Sequence, residues 1–230
     1  MMFSSRPTQS LPDLMFCQEV IEWIEEFKYL GLTITNKLCF SRHINRVSMN
    51  VSRITGLFTN LRSIVPTEMM IKMYYALAYP HLINHVIVWG SSPLCHLKKL
   101  SVRLNNMLRV ILGVRWVNGL PAISTNLMYK QEKLLKVESI FKYYLFKFLR
   151  QLLDGCLPDF YSCLLEPYLS THTYGTRNGR FRHPALVCEV ERRYLSHQLI
   201  TLHDSLPEEM INDILTRALR NFKTSLLNMQ

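Results

Sequence analysis

The chain has 230 residues, is 48% hydrophobic and carries a formal net charge of +10, with a pI near 9.4. That content excludes general disorder and supports a sizeable core, and the positive balance points toward nucleic acid or another polyanion. No run of about 18 apolar residues lacks a charged or polar break, so no membrane span is expected.

Residues 1–35 read as a small β element of three short strands. Met1–Ser4, Leu14–Cys17 and a segment from Val20 leading into Phe27–Ile34 carry the aromatic and β-branched content of strands. So small a sheet is not stable alone. Its edge is expected to be exposed, with sheet partners upstream in a longer parent. Thr35-Asn36-Lys37 closes it as a polar turn, and Ser41 is expected to cap a helix running to about Arg62. At about 100° per residue, Ile44, Val47, Val51, Ile54, Phe58 and Leu61 share one face. Arg42, Arg46 and Arg53 lie within about 40° of one another on the opposite face. Such a face meets either solvent or phosphates.

Residues 63–91 form a second helical block, with Pro66 and Glu68 at its start and an apolar side of Met70, Ile71, Tyr74, Leu77 and Ala78. Pro80 is expected to break or kink it. Ser92-Pro93 then caps a third helix with Leu94, Leu97, Leu104, Leu108 and Ile111 inward, ending at Gly113. His96, Lys99 and Arg103 cluster within about 60° on another face. A loop over 114–123 and a short helix over 124–130 precede the longest periodic run, Glu132–Leu153, whose core stripe is Leu134, Phe141, Leu145, Phe148 and Leu152. Lys133, Lys136 and Lys147 are expected on one side of that helix. Beyond Asp154-Gly155 comes a loop around 168–184, where Arg177, Arg180 and Arg182 stand near Tyr174 and Phe181. That grouping suits either phosphate and base contacts or surface ion pairs. Helices over Ser196–Leu202 and from Pro207-Glu208-Glu209 onward complete the chain, the last with Ile211, Ile214, Ala218, Phe222 and Leu226 on one face.

Charge divides the chain. Residues 36–155 hold seventeen Lys and Arg against four Asp and Glu, residues 1–35 hold two against five, and residues 156–230 hold eight of each. Basic stripes on three helices with few carboxylates favour a surface that faces a polyanion. The expected organisation is a β element at 1–35, a basic helical domain at 36–155 and a C-terminal loop and helical extension at 156–230: mainly α overall.

Six cysteines, Cys17, Cys39, Cys95, Cys156, Cys163 and Cys188, form no CxxC pair, and Met1-Met2-Phe3 is too short for a leader. They read as reduced thiols in an intracellular protein, nuclear or cytoplasmic. His81, His85 and Cys95-His96 could contribute to a metal site only with four convergent ligands, and ordinary loop and core histidines are the competing reading. No Gly-rich phosphate loop or nucleophile elbow occurs.

Six motifs, in order, resemble the reverse transcriptase of non-LTR retrotransposons of the jockey/CR1-like type. Phe27-Lys28-Tyr29-Leu30-Gly31 resembles the family's F-K-Y-L-G strand just after the polymerase palm, and His43-Ile44 its H-I pair at the next helix. Pro80-His81-Leu82 through Val88-Trp89-Gly90 resembles its P-x-L…V-W-G segment, and Leu108-Arg109-Val110-Ile111 its leucine- and arginine-rich helix. His172–Arg177 is similar to its H-x-Y-x-T-R motif, and Leu206-Pro207 with Phe222-Lys223 to its closing L-P…F-K pattern. Asn84-His85 and His203-Asp204 depart from the Tyr-Gly and Trp-Asn usual at those places.

The resemblance implies RNA-directed DNA polymerase in the parent, with a thumb-like bundle and palm edge that hold an RNA/DNA template–primer duplex through its backbone. The residues expected to contact its phosphates are those of the basic faces, Arg42, Arg46, Arg53, Lys99, Arg103, Lys133, Lys136 and Lys147, with Arg177 and Arg180 from the later loop. The family's magnesium-binding aspartates, one upstream and a pair on an F/Y-x-D-D hairpin, have no counterpart among Asp13, Asp154, Asp159, Asp204 and Asp213. This chain is therefore expected to hold no cofactor, to be inactive alone, and to partner the palm and fingers of a full-length copy; no membrane partner is expected. The competing class is a non-catalytic helical protein-interaction module with incidental charge.

Overall fold

A computed structural model of the chain describes residues 14–17, 19–114, 116–117, 120–121, 123–165, 181, 193–207, 210–211, 213 and 215–229. The fold is mainly helical with small antiparallel β hairpins. β1 (Leu14–Phe16) pairs with β2 (Glu19–Ile21), and β3 (Glu26–Tyr29) pairs with β4 (Leu32–Thr35), setting Phe27 opposite Ile34 and Tyr29 opposite Leu32. The segment Phe27–Ile34, expected as one strand, instead folds back on itself. Leu30 and Gly31 both take positive φ, 46° and 89°, which makes a two-residue turn whose twist suits a hairpin. Leu32 and Thr33 are buried and β4 packs against the first helix, while Phe27, Tyr29 and Leu30 stay exposed.

α1 (Ser41–Leu61) buries His43, Ile44, Val47, Ser48, Val51 and Phe58. Its cap residue is Phe40, not Ser41, and no side chain caps its first turn. Ser41 lies one residue too late, and its hydroxyl accepts from the Cys39 thiol at 3.3 Å. α2 (Thr67–Met73) continues through a π-helical turn, Tyr74–Ala78, into α3 (Tyr79–Ile83). The widened turn explains how Pro80 is accommodated: its ring would collide with the carbonyl four residues back in a regular helix. The same widening rotates the apolar side, so Tyr74 and Ala78 are buried while Leu77, expected inward, is 39% exposed. Asn84 leaves helical geometry, His85 takes φ 54°, and α4 (Val86–Trp89) follows. Trp89 is fully buried and its Nε1 donates to the Asn84 carbonyl at 2.7 Å.

α5 (Leu94–Leu112) packs along α1. Pro93 is its cap residue, without a side-chain cap, so Ser92 does not serve that role. Leu94, expected inward, is 61% exposed at the first position, where the helix has not yet reached its neighbours. Gly113 ends α5 at φ 63°, and the Gly113 and Val114 amides donate to the Val110 and Arg109 carbonyls. Within the expected loop 114–123, β5 (Trp116–Val117) and β6 (Leu120–Pro121) form a short hairpin. α6 (Thr125–Gln131) is capped by the Ser124 hydroxyl.

α7 (Val137–Leu153) is the helix against which much of the rest docks, with α3, α4, α5 and two later helices in contact with it. It starts five residues after Glu132, because Lys133 adopts φ 53° and breaks the run expected from Glu132. Tyr74 and Tyr75 of the π turn and Tyr79 at the start of α3 line a cavity of about 160 Å³ with Tyr143 and Tyr144 of α7. Burial raises the Tyr79 hydroxyl well above its ordinary range, and a hydrogen bond with Tyr144 adds to that. A 3₁₀ turn (Asp159–Leu164), α8 (Leu195–Ser205) and α9 (Leu215–Asn228) follow. Phe222 of α9 stacks on Phe146 of α7 at 4.4 Å between ring centroids. Arg150 of α7, 7% exposed, pairs with Asp154 at 2.9 Å and donates to the carbonyls of Ile211 and Asp213. Buried apolar side chains from Leu32 to Leu226 form one continuous core.

Candidate nucleic-acid interface

The two longest basic helices keep the faces that their periodicity sets out. On α1, Arg42, Arg46 and Arg53 are exposed, on the side away from Ile44, Val47 and Val51. Arg42 pairs with Glu26 of β3, which ties the hairpin to the helix start and engages one of the expected phosphate contacts. On α5, Lys99 and Arg103 are exposed beside the buried row Leu97, Leu100, Leu104 and Leu108. Because α1 and α5 pack together, these cations stand on the outer faces of one helix pair.

The third stripe is not a helix face. Lys133 and Lys136 precede α7, Lys133 in the left-handed turn and Lys136 as the α7 cap residue, so only Lys147 is on the helix. The sequence pattern missed this because a β-branched start at Val137 and a left-handed lysine carry no Gly or Pro signal. Lys136 donates to Asn126 Oδ1 at 2.8 Å and lies 5.9 Å from the Tyr129 ring centroid, so it braces α6 against the α7 start. Arg177 and Arg180, like the H-x-Y-x-T-R motif, lie outside the described residues.

Two arginines outside the expected basic stripes share a cleft of about 500 Å³, lined by Thr59, Arg62, Asn106, Arg109, Val110, Gly113 and Val114. It sits where the last turns of α1 and α5 meet. The Arg109 guanidinium donates to Asn106 Oδ1 at 2.9 Å and to Thr125 Oγ1 at 3.2 Å. Arg62 packs over Gly113, close enough that a Cβ there would lie 2.6 Å from its terminal nitrogen. A signal existed: Arg62 stands about five full turns after Ile44 and so falls on the apolar side of α1, just past its end.

His43, the histidine of the H-I pair, is 3% exposed. Its Nδ1 accepts the Thr33 amide at 3.3 Å, which joins β4 to α1. Burial pulls its pKa down to about 4, with smaller contributions from His85 and Arg46. It is thus a neutral structural acceptor. Gly90 of the V-W-G segment lies against Phe141 of α7. Among the described residues, no three His, Cys, Asp or Glu side chains gather where they could hold a metal ion. Asp154 pairs with Arg150, Asp204 lies 3.0 Å from His203 Nδ1 and Asp213 pairs with Arg217, each at a separate place in the fold. Cys17, Cys39, Cys95, Cys156 and Cys163 are exposed free thiols, and Cys188 lies outside the described residues. Among the described residues, no helix is long and apolar enough to cross a membrane.

No family model matches the chain, and no solved structure matches it significantly. Two curated proteins do. An RNA-directed DNA polymerase from the mobile element jockey of Drosophila melanogaster is 30% identical over 118 residues, covering 50% of this chain and 13% of that protein. The jockey polymerase of Drosophila funebris is 30% identical over 108 residues, covering 46% of this chain and 12% of that protein. The resemblance to a non-LTR retrotransposon reverse transcriptase read from the motifs is supported by these matches, which span a small part of each polymerase.

Proposed function

We propose that this chain, related over about half its length to the jockey polymerases, is the duplex-holding part of a non-LTR reverse transcriptase. In this reading α1 to α7 act as a thumb that grips an RNA/DNA template–primer duplex by its phosphates. The palm and fingers of a full-length copy supply the aspartates and their magnesium. The observation that carries it is the jockey match combined with the charge of residues 36–155, seventeen cations to four carboxylates. Neutralising a row of phosphates needs such a surplus, and each contact releases a counterion.

The test has two arms. The purified chain is titrated with a labelled RNA–DNA duplex at several salt concentrations, and the affinity is expected to fall steeply as salt rises. It is then given primer, template, nucleotides and magnesium, and no extension is expected. Primer extension would overturn the assignment of chemistry to other residues, and absent or salt-independent binding would overturn the duplex-holding role. A helical protein-interaction module is the second reading. It is favoured by the exposed apolar side chains of the hairpins, Met15, Val20, Phe27, Tyr29 and Leu30, and a flat salt response would select it.

A further inference from the structure

The cleft between the last turns of α1 and α5 has the chemistry of an anion site. Arg62 and Arg109 both line it, and no carboxylate is among its lining residues. Two guanidinium groups facing one space repel each other, and an anion bound between them removes that penalty. Arg62 makes no hydrogen bond or ion pair with any described residue, and its Nε is buried.

Capping of a helix end is the competing role for an arginine placed there, since helix C-termini carry partial negative charge. Three of the carbonyls near those two helix ends already have partners. The Val110 and Arg109 carbonyls accept the Gly113 and Val114 amides, and the Leu61 carbonyl accepts from Ile64 and Val65. Arg109 is held in place by Asn106 and by Thr125 of α6, so one guanidinium is pre-oriented while the other, among the described residues, presents donors without an acceptor. The walls are largely aliphatic, from Val110, Val114 and the arginine stems, and such walls suit the carbon edge of a sugar. The cleft volume lies within the range of about 300–1,000 Å³ usual for small-ligand sites.

From this we infer that the cleft binds a backbone phosphodiester of the nucleic acid, with Arg62 as the main donor to the phosphate and Arg109 beside it. The inference rests on the duplex-holding reading and adds a residue-level anchor that the exposed stripes on α1 and α5 do not contain. It places one phosphate at the far end of the helix pair from the Arg42–Glu26 contact.

The experiment measures duplex binding by fluorescence anisotropy against salt for the unmodified chain, Arg62→Ala, Arg62→Gln and Arg62→Lys. Thermal melts confirm that each variant is folded. Arg62→Ala and Arg62→Gln are expected to weaken binding about tenfold at low salt, as loss of a charged hydrogen bond does. They should also flatten the slope of log K against log salt by about 0.9, one counterion's worth. Arg62→Lys keeps the charge and should keep the slope. If the unmodified chain binds with a steep slope and Arg62→Ala and Arg62→Gln match it in affinity and slope, this inference falls and the duplex-holding reading stands. If the unmodified chain does not bind duplex at low salt, both fall. A nucleoside triphosphate titrated alone separates the two sources of phosphate. Binding that depends on Arg62, with duplex affinity unchanged in Arg62→Ala, would overturn the backbone assignment.

Discussion

Substituting Gly90 by alanine tests how the helices are locked together. An added Cβ would lie 2.4 Å from Cδ2 and 2.8 Å from Cγ of Phe141, and 2.5 Å from the carbonyl oxygen of Val86. Carbon atoms in contact sit about 3.5–4.0 Å apart, so the Phe141 ring would have to retreat by roughly 1 Å. Phe141 is 9% exposed on α7 and Trp89, next to Gly90, is fully buried, so neither can move into open space. Overpacking of this kind costs about 1–3 kcal/mol, and the backbone contact with Val86 places it at the upper end. For a chain of this size, each kcal/mol shifts the melting temperature by about 2–4 °C. Gly90→Ala is therefore expected to melt about 6–12 °C below the parent by circular dichroism. Shortening the clashing ring with Phe141→Leu should cost less in the Gly90→Ala background than in the parent. A melting temperature within about 2 °C of the parent, or fully additive costs in the double variant, would refute the close-packed contact.

Three further outcomes are expected. His43 is neutral in the fold with its pKa lowered to about 4, below its ordinary value of 6.5. Its contribution to stability is therefore complete above pH 6.5 and is lost as pH falls toward 4, with a slope of up to about 1.4 kcal/mol per pH unit inside that window. Urea midpoints for His43→Gln should vary less over that range than those of the parent, and equal slopes would show that His43 is not the group responsible. Arg150→Met keeps the apolar stem but strips the donors that hold Asp154 and the Ile211 and Asp213 carbonyls, a loss of about 3 kcal/mol. Amide exchange should rise in α9 while α1 keeps its protection, and a uniform rise would count against a local clamp. Leu30→Asn replaces a 72% exposed leucine at φ 46° with a residue suited to a two-residue hairpin turn, and should stabilise by about 0.5–1 kcal/mol. A lower melting temperature would mean that Leu30 makes a contact its exposure hides.

The parts of the fold that were legible are those governed by one period. α1 and α5 run within a residue or two of their expected ends, and Gly113 takes the left-handed conformation its position called for. What escaped the sequence lies where two local rules compete. The run Phe27–Ile34 has strand composition throughout, yet Leu30-Gly31 turns it, because one glycine with a strained neighbour suffices when both arms can pair. The run from Glu132 keeps helical spacing across a break at Lys133, which no Gly or Pro announces. The Pro80 region was expected to kink and does so by widening into a π turn, which a fixed 100° wheel cannot represent, so Leu77 was misplaced. The Arg62–Arg109 cleft joins residues 47 apart in sequence, and only the packing of α1 on α5 brings them together.

Several of the residues that mark the family resemblance are scaffold. His43 and Ile44 join a hairpin to a helix, Trp89 and Gly90 seat α4 on α7, Leu108 and Ile111 line the core, and Phe222 stacks on Phe146. The proposed grip on a polyanion would instead depend on exposed cations, where substitution has little effect on folding, since surface changes are usually within about 0.5 kcal/mol. Fold and grip can therefore separate: a copy could melt cooperatively and bind nothing. A charge-reversing pair such as Arg46→Glu with Arg53→Glu makes the distinction. It should leave the melting temperature within a few degrees of the parent while duplex affinity at low salt falls by more than tenfold. Equal loss of both would mean that the α1 arginines support the helix rather than a ligand.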